Sequence, residues 1–142
     1  MDVNSNRVLS GSDGKVWVNG ELWAEIQKIE FKITGNFDSV NFVGDPKEHS
    51  RYTGCSSEGT ITLNKTYSRG VKMISDAFKS GKFPDVTILT KVTDKQTNQS
   101  ERWELKEVLF TELGHTIEAK KTITQEMPFK FGDWDILETI SA

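Results

Sequence analysis

Lys28-Ile29-Glu30-Phe31-Lys32-Ile33-Thr34 alternates without a break, with Ile29, Phe31 and Ile33 on one side and the polar residues on the other. Successive side chains of a strand point to opposite faces, so this stretch predicts a β-strand with one dry and one wet side. Taken from Glu25 to Asn36, the strand is roughly 40 Å long at ~3.3 Å per residue. That is about twice the usual strand length, so it is predicted to extend past a compact core.

Upstream, Val16-Trp17-Val18 leads into Asn19-Gly20, followed by Leu22 and Trp23. Asn-Gly between short apolar runs signals a tight hairpin, because both central positions of a type I′ turn need positive φ. Residues 1–14 are polar, end in Ser10-Gly11-Ser12-Asp13-Gly14, and read as an N-terminal arm or mobile terminus. Downstream, residues 37–57 hold Phe37, Phe42, Tyr52, His49 and Cys55 without periodicity. A loop this long is uncommon in a compact domain unless it has a task, and its aromatics argue against simple disorder. It is read as an interaction loop, with Phe37, Phe42 and Tyr52 as candidate contacts. Alternation resumes at Gly59-Thr60-Ile61-Thr62-Leu63-Asn64-Lys65.

One helix is predicted. Ser68 is a candidate N-cap, Val71, Ile74, Ala77 and Phe78 form an apolar stripe at helical spacing, and Gly81 with Pro84 ends it. The stripe is expected to pack on the sheet rather than hold a cofactor. Val86, Ile88 and Val92 carry the next strand, and residues 93–100 form a polar connection to a return strand opening at Trp103 and Leu105. Apolar parity then flips to Val108 and Phe110, which predicts a bulge near Lys106-Glu107. Ile117, Ala119, Ile123, Met127, Phe129 and Phe131 share one parity, compatible with one long strand or with two and a turn near Lys120-Lys121.

Composition agrees with sheet. The chain holds 10 Val, 10 Ile and 14 Thr against 8 Leu and 4 Ala among its 142 residues. Stiff β-branched side chains suit a pleated surface, and the best helix formers are scarce. The net charge of −3 argues against a protein that grips a nucleic-acid backbone. Cys55 is alone, so no intrachain disulfide exists and a reducing compartment is expected. No apolar run reaches the ~20 residues of a spanning helix, and the start lacks a secretion signal's apolar core. A soluble, intracellular, single-domain protein over residues 1–142 is the expectation.

No phosphate loop, dinucleotide fingerprint, nucleophile elbow or zincin helix is present. His49 and Cys55 are near in sequence only, whereas a nucleophile pair needs contact and a third, orienting group. His115 stands apart. Asp133 and Asp135 offer too few oxygen ligands for Ca²⁺ or Mg²⁺, and Lys120-Lys121 is too short for a nucleic-acid patch. No enzyme, no cofactor and no metal are predicted.

Three stretches, taken together, carry a resemblance across nearly the whole chain. They are Gly14-Lys15-Val16-Trp17-Val18-Asn19-Gly20-Glu21 running on to Ile33, Gly59–Lys65 with the single helix, and Glu126-Met127-Pro128-Phe129-Lys130-Phe131-Gly132-Asp133-Trp134-Asp135-Ile136-Leu137. The chain resembles the tail tube proteins of contractile-tailed phages, in particular the XkdM-like core-tail family of PBSX-type defective prophages. The resemblance implies a mainly β fold, an antiparallel β-sandwich or partial barrel with one flanking α-helix. It implies self-assembly into hexameric rings that stack into a hollow tube in the virion tail, assembled in the bacterial host cytoplasm. It also implies sheath, baseplate and tape-measure proteins as partners, with DNA only as passing cargo or a target envelope to puncture. A carboxylate-rich lumen would let DNA slide, although Lys28 and Lys32 complicate an acidic face. The alternative reading is a small antiparallel barrel that binds an apolar small molecule, with 37–57 as a lid.

Overall fold

The computed structural model describes residues 4–142; residues 1–3 of the expected arm lie outside the described residues. Seven strands form one antiparallel sheet: β1 (Gly14–Val18), β2 (Glu21–Leu22), β3 (Ile26–Val40), β4 (His49–Asn64), β5 (Ile88–Asp94), β6 (Gln99–Phe110) and β7 (Thr124–Glu138). One α-helix, α1 (Val71–Ser80), lies between β4 and β5. The order across the sheet is β2-β1-β5-β6-β7-β4-β3, so β2 and β3 are edges and the sheet is not closed into a barrel. Its dry face surrounds one core. Val16 and Val18 of β1, Ile61 and Leu63 of β4, Ile88 of β5, Leu105 of β6 and Phe129 of β7 belong to a single buried cluster. The mainly β fold with one flanking helix is therefore present, as a wrapped open sheet.

The Asn-Gly turn forms as predicted. Asn19 and Gly20 take φ of 51° and 80°, and Trp17 pairs with Leu22 across β1 and β2. The parity flip in β6 is also real: the buried side passes from Leu105 to Val108. Glu107 takes a φ of 53° there. Against β5, Leu105 pairs with Ile88 while the Val108 amide donates to the Val86 carbonyl (3.2 Å), so β6 carries one extra residue. Against β7 the register is unbroken, from Lys106↔Asp133 to Val108↔Phe131. The two strands thus turn together, and Gly132 opposite Glu107 leaves room for the Glu107 side chain.

Four local expectations are corrected. Residues 37–57 are not a loop: 37–40 end β3, 49–57 begin β4, and only 41–48 connect them. The shared parity of Ile117 and Ala119 with β7 is coincidental, since 111–123 is an irregular connection turning at Lys120 (φ 62°). The N-cap of α1 is Gly70 at φ 65°, without a side-chain cap bond, rather than Ser68. Instead, Arg69 anchors that end: Nε donates to Glu25 Oε1 (2.6 Å), Nη1 to Glu21, and the guanidinium carbon lies 5.8 Å from the Trp23 ring centroid and 4.9 Å from that of Tyr67. At the other end Gly81 (φ 73°) stops the helix as predicted, its amide donating to Ala77 O.

The fourth correction is Phe78. The helix buries Ile74 and Ala77 against the sheet, while Phe78 is 46% exposed and stacks edge-on with Phe83. Phe78→Ala is accordingly expected to cost under about 1 kcal/mol in urea denaturation, as for a surface change. A loss of the ~3–5 kcal/mol typical of a buried phenylalanine would contradict this placement.

The chain ends are tied down around Asp94, a residue 4% exposed at the end of β5. The Thr97 hydroxyl donates to Asp94 Oδ2 (2.9 Å), the Gln96 amide to Oδ1 (3.0 Å), and Arg7 Nε to Oδ2 (3.4 Å). Arg7 also reaches the Ser141 carbonyl, and Lys95 pairs with Asp13. The described part of the N-terminal stretch is therefore attached rather than free. The Thr97 hydroxyl, ahead of Gln96 and Arg7, holds the Asp94 carboxyl below its ordinary range, against burial, which pushes it up. A depressed folded pKa gives stability that is present above the unfolded value of ~3.9 and lost as pH falls through the folded value. Urea midpoints are expected to drop on acidification below pH ~4, with a shallower drop in Asp94→Asn, which starts lower at neutral pH. Identical acid profiles for the two proteins would contradict this role.

Candidate functional site

Among the described residues, β7 pairs with β4 only from Glu58 to Asn64, and β3 pairs with nothing but β4. Residues 34–57 therefore project beyond the core as a two-stranded ribbon. The ladder runs to Val40↔His49, with a bulge where Asn36 pairs with Gly54 and Phe37 with Tyr52, leaving Thr53 unpaired. Gly54 takes a φ of 136° there, and the Thr53 hydroxyl donates to the Asn36 carbonyl (3.0 Å). The bulge shifts the phase of β4, so that Tyr52 joins Phe37 on one side of the ribbon.

That side continues the dry face of the sheet. Ile29, Phe31 and Ile33 are partly buried against the core, and the same row proceeds through Gly35 to Phe37. Past Ile33 no core covers it. Phe37 and Tyr52 stack edge-on at 5.5 Å over Gly35, 62% and 57% exposed. At the tip, Phe42 meets the His49 ring edge-on at 5.3 Å, and His49 Nε2 bonds Asp45 Oδ2 at 2.7 Å. This contact, followed by the Lys47 amide, lowers the Asp45 pKa. The structure thus brings Phe37 and Tyr52 together and places Phe42 separately at the tip. An exposed apolar row in register with a core is a surface that solvent does not favour. The outer edge of the 15-residue β3 adds a line of unpaired backbone groups, which can template another strand.

The wet face of the sheet does not form an acidic patch. Lys28, Glu30 and Lys32 on β3 meet Thr62, Thr60 and Glu58 on β4, and Lys130 and Glu126 stand on β7. Lys28 pairs with Glu30 (3.6 Å) and Lys32 with Glu58 (3.5 Å), so signs alternate. The other residues considered for chemistry are spread apart. His49 is bound to Asp45, Cys55 is exposed opposite Gly35, and Asp135 is paired with Lys106, whose pKa it raises. Asp133 accepts from the Trp134 amide, and His115 lies in the irregular connection. Among the described residues, no group of three His, Cys, Asp or Glu side chains could hold a metal ion. Among the described residues, no helix is long and apolar enough to cross a membrane. The barrel alternative needs an interior cavity, yet Ile61, Leu63, Ile88, Leu105 and Met127 fill the inside with no exposure. The space beneath α1 is about 10 Å³, no more than one water can use.

Comparison with known proteins gives a consistent picture. A family model described as "Phage tail tube protein" (DUF2001) matches residues 1–138. The chain is 28% identical over 144 residues to the phage-like element PBSX protein XkdM of Bacillus subtilis (strain 168), covering 99% of this chain and 98% of that protein. Among solved structures, the fold is shared with the tube-terminating cap of the anti-feeding prophage (TM-score 0.74, 12% identity, 98% of this chain and 97% of that one). It is also shared with a chain of the sheath-tube complex of the extracellular contractile injection system PVC in its extended state (TM-score 0.71, 13% identity, 92% of each chain).

Proposed function

The chain belongs to the phage tail tube protein family, a structural component of phage tails, and on that premise we propose that it is the repeating subunit of the inner tube of a contractile tail. Residues 1–142 act as one tail-tube domain, copies of which close into hexameric rings that stack into a hollow tube. Residues 1–14 and 37–57 are its contact elements, with Phe37, Phe42 and Tyr52 as inter-subunit residues. Sheath, baseplate and tape-measure proteins are the partners, and assembly takes place in the bacterial host cytoplasm. The role is mechanical rather than catalytic.

The observation that carries this reading is the unfinished sheet. A 15-residue edge strand and an apolar ribbon face both lack cover in the single chain. Neighbouring copies supply that cover when edges meet in a closed ring. Mass spectrometry of purified tail particles from the source cell tests the assignment. The chain is expected as a major component; its absence from such particles would end the reading.

DNA is proposed as cargo that passes and is not held. Tight phosphate contacts would resist sliding, and the alternating Lys-Glu rows on the wet face present no basic stripe. The free subunit is expected to bind duplex DNA more weakly than the ~10⁻⁴–10⁻⁶ M of non-specific binders at physiological salt. Fluorescence anisotropy with a labelled duplex measures this directly. Micromolar binding with a steep salt slope would replace the passive conduit with a DNA-organising protein.

A further inference from the structure

The helix α1 holds to the sheet through little apolar burial. Of its ten residues it buries Ile74 and Ala77, with Met73 packed partly against the core. Phe78 instead meets Phe83 across the helix stop, and both rings are nearly half exposed. A helix this short is marginal in water without tertiary support. Its first turn holds no acidic residue, and among the described residues no side chain caps it. It is bounded on both sides by glycines in the left-handed region, Gly70 at φ 65° and Gly81 at φ 73°. At such positions the backbone turns without the steric cost of a Cβ.

The chain on either side of α1 is fixed far more firmly. Arg69, directly before Gly70, has a side chain 16% exposed, and it donates to Glu25, whose side chain is 8% exposed, and to Glu21 of β2. Glu25 is itself tied to the sheet, since its carbonyl accepts from the Asn64 amide at the end of β4 (3.0 Å). Beyond the helix, Val86 is buried and its carbonyl accepts from the Val108 amide of β6 (3.2 Å). Arg69 and Val86 are thus two posts, and the strap of residues 70–85 between them covers Val108 and Phe110, with about 10 Å³ of free space beneath.

We infer that α1 is a flap: it lifts and unwinds as one unit between Gly70 and Gly81 while the posts stay bound and the seven strands stay paired. The open state uncovers an apolar trough floored by Val108 and Phe110. Elements that move are drawn from the least stable part of a fold, and here that part lies between two glycines and two fixed anchors. The Arg69 ion pairs keep the opening local, because breaking a buried pair would leave its partner charge uncompensated. The device belongs to the single chain and stands apart from the tube reading.

Native-state hydrogen exchange of the whole chain, followed residue by residue in low urea, tests it. Amides from Ser75 to Gly81 are expected to exchange at least about a hundredfold faster than those of Ile61 and Leu63 in β4, since the lifted helix unwinds while the sheet holds. Ile74→Ala is expected to speed the helix amides at least about thirtyfold, and the milder Ala77→Gly about fivefold. Gly59→Ala crowds Phe31 and Phe129 within the sheet, which stays folded in the open state. It is expected to speed Ile61 and Leu63 and leave Ser75 to Gly81 unchanged, and Arg69→Met is expected to do the same, because its post stays bound. Equal rates for helix and β4 amides in the unaltered chain overturn the flap. So do helix amides that speed up together with β4 in Gly59→Ala or Arg69→Met, or that respond to neither Ile74→Ala nor Ala77→Gly.

Discussion

Gly59→Ala is expected to lower the stability of the isolated chain by about 3 kcal/mol, at the upper end of the cost of overpacking a core. Gly59 stands in β4 between Phe31 of β3 and Phe129 of β7, in the row where both rings turn inward. A methyl group there would lie 2.5 Å from Phe129 Cζ, 2.6 Å from the Glu30 carbonyl oxygen and 2.9 Å from Phe31 Cβ. The ring could swing only into a core that is already full, and the carbonyl belongs to the neighbouring strand's backbone. Phe129 is 1% exposed and contacts Phe110 and Phe131, so its displacement disturbs β6 and β7 as well. For a domain holding ~5–15 kcal/mol in total, this is a large fraction. Gly114→Ala is the control, since nothing lies within 4 Å of its added methyl group, and a change within about 0.5 kcal/mol is expected. Urea denaturation followed by tryptophan fluorescence measures both. Equal midpoints for the two variants would show that β4 does not pass under Phe129 as described.

Phe37→Asp with Tyr52→Asp is expected to abolish assembly while leaving the monomer folded. Both rings are more than half exposed, so their loss removes little from the core. In an interface, each truncated anchor costs about 2 kcal/mol or more, roughly thirty-fold per contact. A tube repeats that contact at every copy, so the yield of long assemblies is expected to fall to nothing. Hydrogen exchange supplies the complementary readout. Amides of residues 37–57 should exchange fast in free subunits, where the ribbon has no third strand, and slowly in tubes. Tubes of normal yield from the double variant would remove the ribbon from the interface.

How much of this was legible depended on whether local chemistry and tertiary cover agreed. Ile29, Phe31 and Ile33 alternate because the core covers them, and the reading of β3 followed. Asn19-Gly20 and Gly81 were legible because positive φ is a local demand. The Lys106-Glu107 bulge was legible as a parity flip, but its match in β7 at Gly132 was not, since Gly132 also reads as an ordinary strand glycine. The ribbon read as a loop because alternation fades where no core selects one face, and the unpaired Thr53 shifts the phase of β4. Phe37, Phe42 and Tyr52 stood out as aromatics lacking a period, yet the Phe37–Tyr52 pair required the register. Phe78 misled because helical spacing places it beside Ile74 and Ala77, and only the width of the covered stripe decides which residues are buried. The Phe78–Phe83 pair lies across a helix stop, where periodicity carries no information.

Cryo-electron microscopy of tail particles from the source cell tests the central claim most directly. The expected map is a hollow tube of stacked hexameric rings, its wall built from this chain's seven-stranded sheet. In it the β3 edge is covered by a neighbour, and residues 37–57 cross to another copy. A tube traced to a different protein, or one built from this chain with the β3 edge and the ribbon both facing solvent, would contradict it.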